Sequence, residues 1–149
     1  MNSTLTIAIA IILHPTDGTV LISKRRADTH LANLWEFPGG KCLPRETPEE
    51  CALRETREET GLNVTVLEAW PPLTYTYPER TVTLHPFLCR AISGDAKALG
   101  SKEVDWALPT ELGKYQFPEA NKPLLERLSI LLTPVAPVVG RKPLRGWGQ

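Results

Sequence analysis

Cysteine is scarce in this chain. Cys42, Cys51 and Cys89 are the only three in 149 residues. An odd, widely spaced set builds no disulfide framework, and no C-x-x-C pair marks a zinc site. All three are expected as free thiols in a reducing, cytoplasmic compartment. Net charge is also missing, since 17 Lys and Arg offset 17 Asp and Glu. No global field then favours a nucleic-acid polymer or an anionic membrane, and a polyanionic substrate would need local cations. Long apolar runs are absent too. "LTIAIAIIL" near the start is too short to span a bilayer and follows no basic segment, so it predicts a buried strand. There is no internal repeat and no sign of a second domain, and the length suits one domain with a real core.

What is present is an alternation of strand and turn signals. Residues 4–13 and "VLISKR" predict two strands around an Asp17-Gly18 hairpin. "RADTHLANLWEFPGG" reads as a long connection with little periodicity, a kind of loop that usually carries function. "NVTVLEAW", "LTYTYP", "TVTLHPFLCRAI" and "EVDWALP" predict further strands, the second and third of these joined at Glu79-Arg80. Residues 93–102 predict a surface loop and "PTELGKY" a short helix. "PEANKPLLERLSILL" predicts a C-terminal helix with an apolar stripe at Leu124, Leu125, Leu128, Ile130, Leu131 and Leu132. These elements make an α/β or α+β fold, a mixed sheet sandwiched between helices, over residues 1–132. Residues 133–149 form a Pro/Gly-rich tail with Arg141, Lys142 and Arg145. The tail lacks apolar periodicity, and its removal is expected to leave catalysis largely intact.

The densest information lies in "LWEFPGGKCLPRETPEECALRETREETGL". Thr47 as N-cap, Pro48 at the first helical position, Glu50 completing a capping box and Gly61 as the stop predict a helix from about Pro48 to Thr60. Leu53, Thr56 and Thr60 share its core side, with Ala52 at the edge. Glu55, Glu58 and Glu59 share another side, with Cys51 behind them. Such a helix can be a solvated face with Glu50–Arg54 and Arg54–Glu58 pairs. Alternatively, three carboxylates within about one turn repel unless a cation sits among them. A hard-oxygen cluster of this kind suits Mg²⁺, and the Gly39-Gly40 turn lets a backbone carbonyl approach the same cation. Removing one glutamate charge is then expected to spare, or even stabilise, the metal-free fold.

Gly40, Glu46, Arg54, Glu55, Glu58, Glu59, Gly61 and Leu62 fall at the spacing G-x5-E-x7-R-E-U-x-E-E-x-G-U, where U is a large aliphatic residue. This resembles the signature of the Nudix hydrolase family. The one departure is Thr56 at the first aliphatic position, which lies on the core side. "RRADTHLANLWEFPGGK" and "FPEANKPLLERL" are similar to the MutT-type branch, whose members clear oxidised purine nucleotides such as 8-oxo-dGTP. The resemblance covers residues 5–132.

The resemblance implies a Mg²⁺-dependent diphosphatase, with Mn²⁺ as an alternative metal. Glu55, Glu58, Glu59 and the Gly40 carbonyl would hold the metal, with Glu103 as a candidate extra ligand. Glu55 would also accept the proton of the attacking water. Arg54 would orient a glutamate or form an ordinary helix pair, and Glu46 would brace the loop or ligate through water. Phe37 would stack on the base or sugar, or simply belong to the core. Arg25, His30 and Arg80 would meet sugar or phosphate, or play structural roles, and Tyr77 would line the same cleft. Trp35 and Trp106 are assigned to packing.

Asn121 either caps the C-terminal helix or reads the base. Its amide offers one acceptor and two donors. Guanine presents two acceptors, O6 and N7, whereas N7 of 8-oxoguanine carries a hydrogen. An Asn can therefore accept from N7–H while donating to O6 only when the base is oxidised. Two further functions stand beside this one. The first is a diphosphatase for another nucleotide, such as (d)CTP or dihydroneopterin triphosphate. The second is a non-catalytic nucleotide-binding module, which would have no need of all three glutamates. The expected partner is a small nucleotide, neither a nucleic-acid polymer nor a membrane, bound by a monomer or weak dimer.

Overall fold

A computed structural model describes residues 3–29 and 31–132. His30 and the 133–149 tail lie outside the described residues. Strand β1 (Ser3–Leu13) is the spine of the molecule. It pairs in parallel with β7 (Arg80–Ser93), from Ser3 opposite Arg80 to Leu13 opposite Arg90. Its side chains alternate between two cores. Ile9 and Ile11 enter one with Val20, Ile22, Leu84 and Leu88. Ala8, Ala10 and Ile12 enter the other with Leu21, Phe87 and Cys89. A strand covered on both faces has no solvent side, hence its near-continuous apolar sequence.

Helix α1 (Pro48–Thr60) covers the second core and α2 (Lys122–Leu132) the first. The α1 side of β1 carries Ala8 and Ala10 ahead of Ile12, and the two small side chains leave room for the helix backbone. The sheet order is β3-β2-β1-β7-β5, where β2 is Val20–Lys24, β3 Trp35–Glu36 and β5 Asn63–Ala69. β4 (Gly39–Lys41) joins β1, β6 (Leu73–Thr76) joins β7, and β8 (Glu103–Ala107) joins β2. The expected sandwich of a mixed sheet between helices is therefore present. No helix among the described residues is long and apolar enough to cross a membrane.

The 35–41 end of the long connection is more ordered than its lack of periodicity predicts. β1 and β2 pair only at their hairpin end, Leu13 opposite Val20. Beyond it they splay, and the 35–41 segment wedges between them. β3 pairs with β2, the Pro38 carbonyl accepts from Ala10 N–H at 2.8 Å, and β4 pairs with β1. Two- and three-residue strands containing Gly-Gly have no local strand signal, and only the gap between splayed neighbours makes them strands.

Other departures are smaller. The C-terminal helix begins later than predicted, after a 3-10 turn at Glu119–Asn121. "PTELGKY" forms a 3-10 helix over Pro109–Lys114. Of the predicted apolar stripe, Leu124 and Leu128 are buried, but Ile130 is 79% exposed and Leu131 44%. Among the described residues the core contacts of α2 are made by its first two turns, through Leu124 and Leu128. On α1, Cys51 belongs to the core itself rather than behind the glutamates, while Leu53 is only half-buried.

Thr56 is fully buried, and its Oγ1 has no hydrogen-bond partner among the described residues. The Thr60 hydroxyl takes the Thr56 carbonyl, at 2.6 Å. An unpaired buried hydroxyl costs about 1–3 kcal/mol. Thr56→Val keeps the shape, removes that cost and barely changes helix propensity. It is expected to raise the melting temperature by several degrees and leave kcat/KM unchanged. A thermal melt beside a steady-state assay checks both.

Candidate active site

The N-terminus of α1 is built as its sequence predicts. Thr47 Oγ1 accepts from Glu50 N–H at 3.1 Å, and Glu50 Oε1 accepts from Thr47 N–H at 2.9 Å. Glu50 is thereby spent on the cap and does not pair with Arg54. At the other end Gly61 takes φ +78°, which favours glycine, and its N–H bonds the Arg57 carbonyl. The 93–102 stretch does more than cover surface. Leu99 and Gly100 N–H reach the Glu59 carbonyl, and Lys97 N–H reaches that of Thr60. It satisfies the carbonyls that a helix end leaves open.

Arg54 is the hub of the charged cluster. Its Nε and Nη2 grip Glu46 at 2.6 and 2.9 Å. Nη2 also donates to the Lys41 carbonyl at 3.2 Å. Nη1 donates to Glu55 Oε1 at 2.8 Å and Glu58 Oε2 at 2.9 Å. One guanidinium thus gathers three carboxylates and ties α1 to the end of β4. Glu46 also accepts from Leu43 N–H at 3.0 Å, so it braces the loop. Its carboxyl is lowered to about 2, first by Arg54 and then by Leu43 N–H.

Glu59 turns away from this hub and accepts from Gly39 N–H at 3.1 Å. Burial raises it to about 8, and the charges of Glu55, Glu36 and Glu58 add to the rise against that hydrogen bond. A Cβ on Gly40 would lie 2.5 Å from the Glu55 carboxylate, so only glycine leaves that group in place. The Gly40 carbonyl itself accepts weakly from the Cys51 thiol, at 3.5 Å.

Among the described residues, no three His, Cys, Asp or Glu side chains converge on one point. Arg54 stands between Glu55 and Glu58, and Glu59 is held by backbone. Glu103, the expected extra ligand, opens β8 opposite Lys24 and pairs with its Nζ at 3.7 Å, half-exposed. The donor set nevertheless suits a hard divalent cation. It is all carboxylate, it packs against a glycine with no room for a side chain, and it contains a half-buried acid, Glu59, raised first by burial and then by like charges.

The other predicted residues are each held by partners other than the glutamates of α1. Phe37 is 3% exposed, its ring 5.4 Å from that of Phe117, so it is a core residue with no open face to stack on. Arg25 Nη1 donates to Glu36 Oε1 at 2.9 Å. Tyr77 and Arg80 close the β6–β7 turn, where Tyr77 N–H bonds the Arg80 carbonyl, and both are exposed. Arg80 is level with Ser3 on β1, and Gly40 is level with Ala8. At ~3.3 Å per residue they stand on the order of 15 Å apart along the strand. Asn121 bonds through its backbone N–H to the Pro118 carbonyl at 3.0 Å. Its side-chain amide makes no capping hydrogen bond among the described residues. Trp35 meets Tyr115 edge-on and Trp106 meets His14, both as packing residues.

Two residues of this region escaped the sequence. Glu36 carries its charge within the apolar "WEF" run. Burial raises its carboxyl against the opposing pull of Arg25, and it is close enough to load Glu59 electrostatically. A carboxylate between two aromatics was the available signal. Tyr75 faces inward from β6 and donates to the Ala120 carbonyl at 3.0 Å, beside Asn121. Its alternation with Thr74 and Thr76 marks it as inward-facing, but nothing local marks its partner.

A helix capped and charged in this way, behind a Gly-Gly strand wedged between splayed neighbours, defines a Nudix-type hydrolase site. The chain belongs to the NUDIX domain family, which matches it over residues 8–127. It is similar to an 8-oxo-dGTP diphosphatase of Escherichia coli K12, with 35% identity over 127 residues, 85% of this chain and 98% of that protein. It is also similar to a CTP pyrophosphohydrolase of the same organism, with 34% identity over 115 residues, 77% of this chain and 85% of that protein. Among solved structures, that of the E. coli ORF135 protein superposes with a TM-score of 0.75 and 31% identity, covering 89% of this chain and 93% of that one.

The Glu59 environment makes a pH prediction. Its acid is raised from 4.5 to about 8 by folding. Between those values the folded chain holds a proton that the unfolded chain has released. Stability of the metal-free protein therefore falls as pH rises through this window, by on the order of a few kcal/mol. Glu59→Gln is neutral throughout and is expected to remove the fall. Melting temperatures of both proteins in chelator between pH 5 and pH 8 check this, and parallel curves would refute it.

Proposed function

We propose that this Nudix hydrolase is a Mg²⁺-dependent diphosphatase of the nucleotide pool that hydrolyses 8-oxo-dGTP to the monophosphate and pyrophosphate, with Mn²⁺ able to replace Mg²⁺. The observation that carries the proposal is the Arg54 hub, which presents Glu55 and Glu58 side by side next to the Gly40 backbone and the half-buried Glu59. Glu55, Glu58, Glu59 and the Gly40 carbonyl are the groups that would hold the metal. When bound, the metal supplies neutralisation of the polyphosphate charge. Glu55 is the acceptor for the proton of the attacking water, and Arg54 fixes its carboxylate. Glu46 holds Arg54 in register.

Arg25 serves as a local cation for the phosphates, steered by Glu36. Arg80 meets the sugar or phosphate and Tyr77 lines the same cleft, a reading that the separation along β1 supports for an extended nucleotide. Asn121 is the base reader, a role supported by an amide with no capping partner among the described residues. Glu103, engaged by Lys24, is retained only as a ligand that could swing in. A small nucleotide is the partner, the working state is a monomer or weak dimer, and the compartment is cytoplasmic.

A pyrimidine triphosphate is the second candidate substrate, because a relative 34% identical is named as a CTP pyrophosphohydrolase. A panel of 8-oxo-dGTP, dGTP, CTP, dCTP and dihydroneopterin triphosphate, assayed for pyrophosphate with Mg²⁺ and with chelator, decides between them. A kcat/KM highest for 8-oxo-dGTP and abolished by chelator is expected. Highest turnover of CTP would move the assignment to the second substrate, and no turnover of any nucleotide would leave a binding module.

A further inference from the structure

We propose that Tyr75 is a specificity-determining positioning residue, its hydroxyl anchoring the turn that presents Asn121. The inference rests on Asn121 being the base reader. Tyr75 sits on β6 opposite Val82, and its ring packs on the core beneath α2. Its hydroxyl donates to the Ala120 carbonyl at 3.0 Å, one residue before Asn121. The turn itself is weakly held. Glu119–Asn121 is a single 3-10 turn, preceded by Pro118 without a side-chain cap. Its internal ties are two backbone bonds, Asn121 N–H to the Pro118 carbonyl at 3.0 Å and Lys122 N–H to the Glu119 carbonyl. The Lys122–Glu119 ion pair beside it is largely exposed and contributes little.

Reading a base edge by two hydrogen bonds tolerates little angular error, so a reader on a short turn needs a rigid reference. The sheet supplies that reference through one phenol. Burial raises the Tyr75 hydroxyl above its ordinary value, with Tyr77 adding to the rise, so it stays a donor at neutral pH. Tyr75 and the turn lie on the α2 side of the sheet, whereas the glutamates belong to α1 on the other. A change at the phenol should therefore alter the choice of base and not the hydrolysis.

The test is Tyr75→Phe, which removes only the hydroxyl, assayed for kcat/KM on 8-oxo-dGTP and on dGTP beside wild type, Asn121→Ala and the double variant. Preference for the oxidised base should fall roughly three- to tenfold, the range of one hydrogen bond, with the loss confined to 8-oxo-dGTP. In the Asn121→Ala background the same change should lower preference no further, since the group being positioned is gone. A preference lowered by Asn121→Ala but untouched by Tyr75→Phe overturns the role of Tyr75 alone. Equal losses on both nucleotides also overturn it, leaving a packing residue. A wild type without preference, or an Asn121→Ala variant that keeps it, removes the base reader and the inference with it.

Discussion

Glu58→Gln is expected to lower kcat/KM on every nucleotide substrate by roughly 10²-fold or more. Losing a charged ligand from a polyphosphate site weakens transition-state electrostatics by a few kcal/mol, which corresponds to that factor. The substitution nearly preserves shape, so the loss reports charge. Removing a charge here was expected to relieve repulsion, but the structure removes the basis for that gain. Arg54 already sits 2.9 Å from Glu58, and the Glu58 side chain is 59% exposed. Breaking such a surface pair costs on the order of 0–1 kcal/mol, so the melting temperature should hold steady or drop slightly. Relief of repulsion belongs instead to Glu59, which is half-buried among like charges. Turnover with 8-oxo-dGTP, dGTP and CTP in saturating Mg²⁺, together with a melt, measures both effects. Wild-type turnover by this variant would exclude Glu58 from the metal site.

Asn121→Ala is expected to harm 8-oxo-dGTP far more than dGTP. Both substrates carry the same triphosphate to the same glutamates, so their ratio isolates the base contact. A bidentate contact to a base edge is worth about 1–3 kcal/mol, or roughly ten- to a hundredfold in preference. A capping residue would behave differently. Its loss would fray α2 and cost about 1 kcal/mol of stability, and both substrates would suffer together. The amide has no capping partner among the described residues, so the melting temperature should barely move. Equal losses on both nucleotides with a lowered melt would return Asn121 to a cap.

The Nudix helix was legible because its information is local. N-cap, capping box, proline and terminal glycine all act within one or two turns of the backbone they specify, and each is made as written. The Arg54–Glu58 pair was legible for the same reason, being one helical turn apart. Arg54–Glu46 was not, because it closes across a loop whose path the Leu43–Glu46 bond decides. Phe37 had an open alternative between stacking and core, and the choice depended on Phe117, far along the chain.

By itself, then, the sequence determined the fold class, the extent of α1, the spacing of its acids and the family they mark. Periodicity and capping are properties of neighbouring residues, so they survive in a one-dimensional reading. Tertiary structure alone decided that Gly39-Gly40 becomes a strand wedged between β1 and β2. It also decided that Glu59 is half-buried while Glu58 faces solvent, and that Tyr75 reaches Ala120. Each depends on which surfaces meet. The energy of a half-buried charge or of one hydrogen bond from sheet to turn is set by groups brought close in space and distant in sequence.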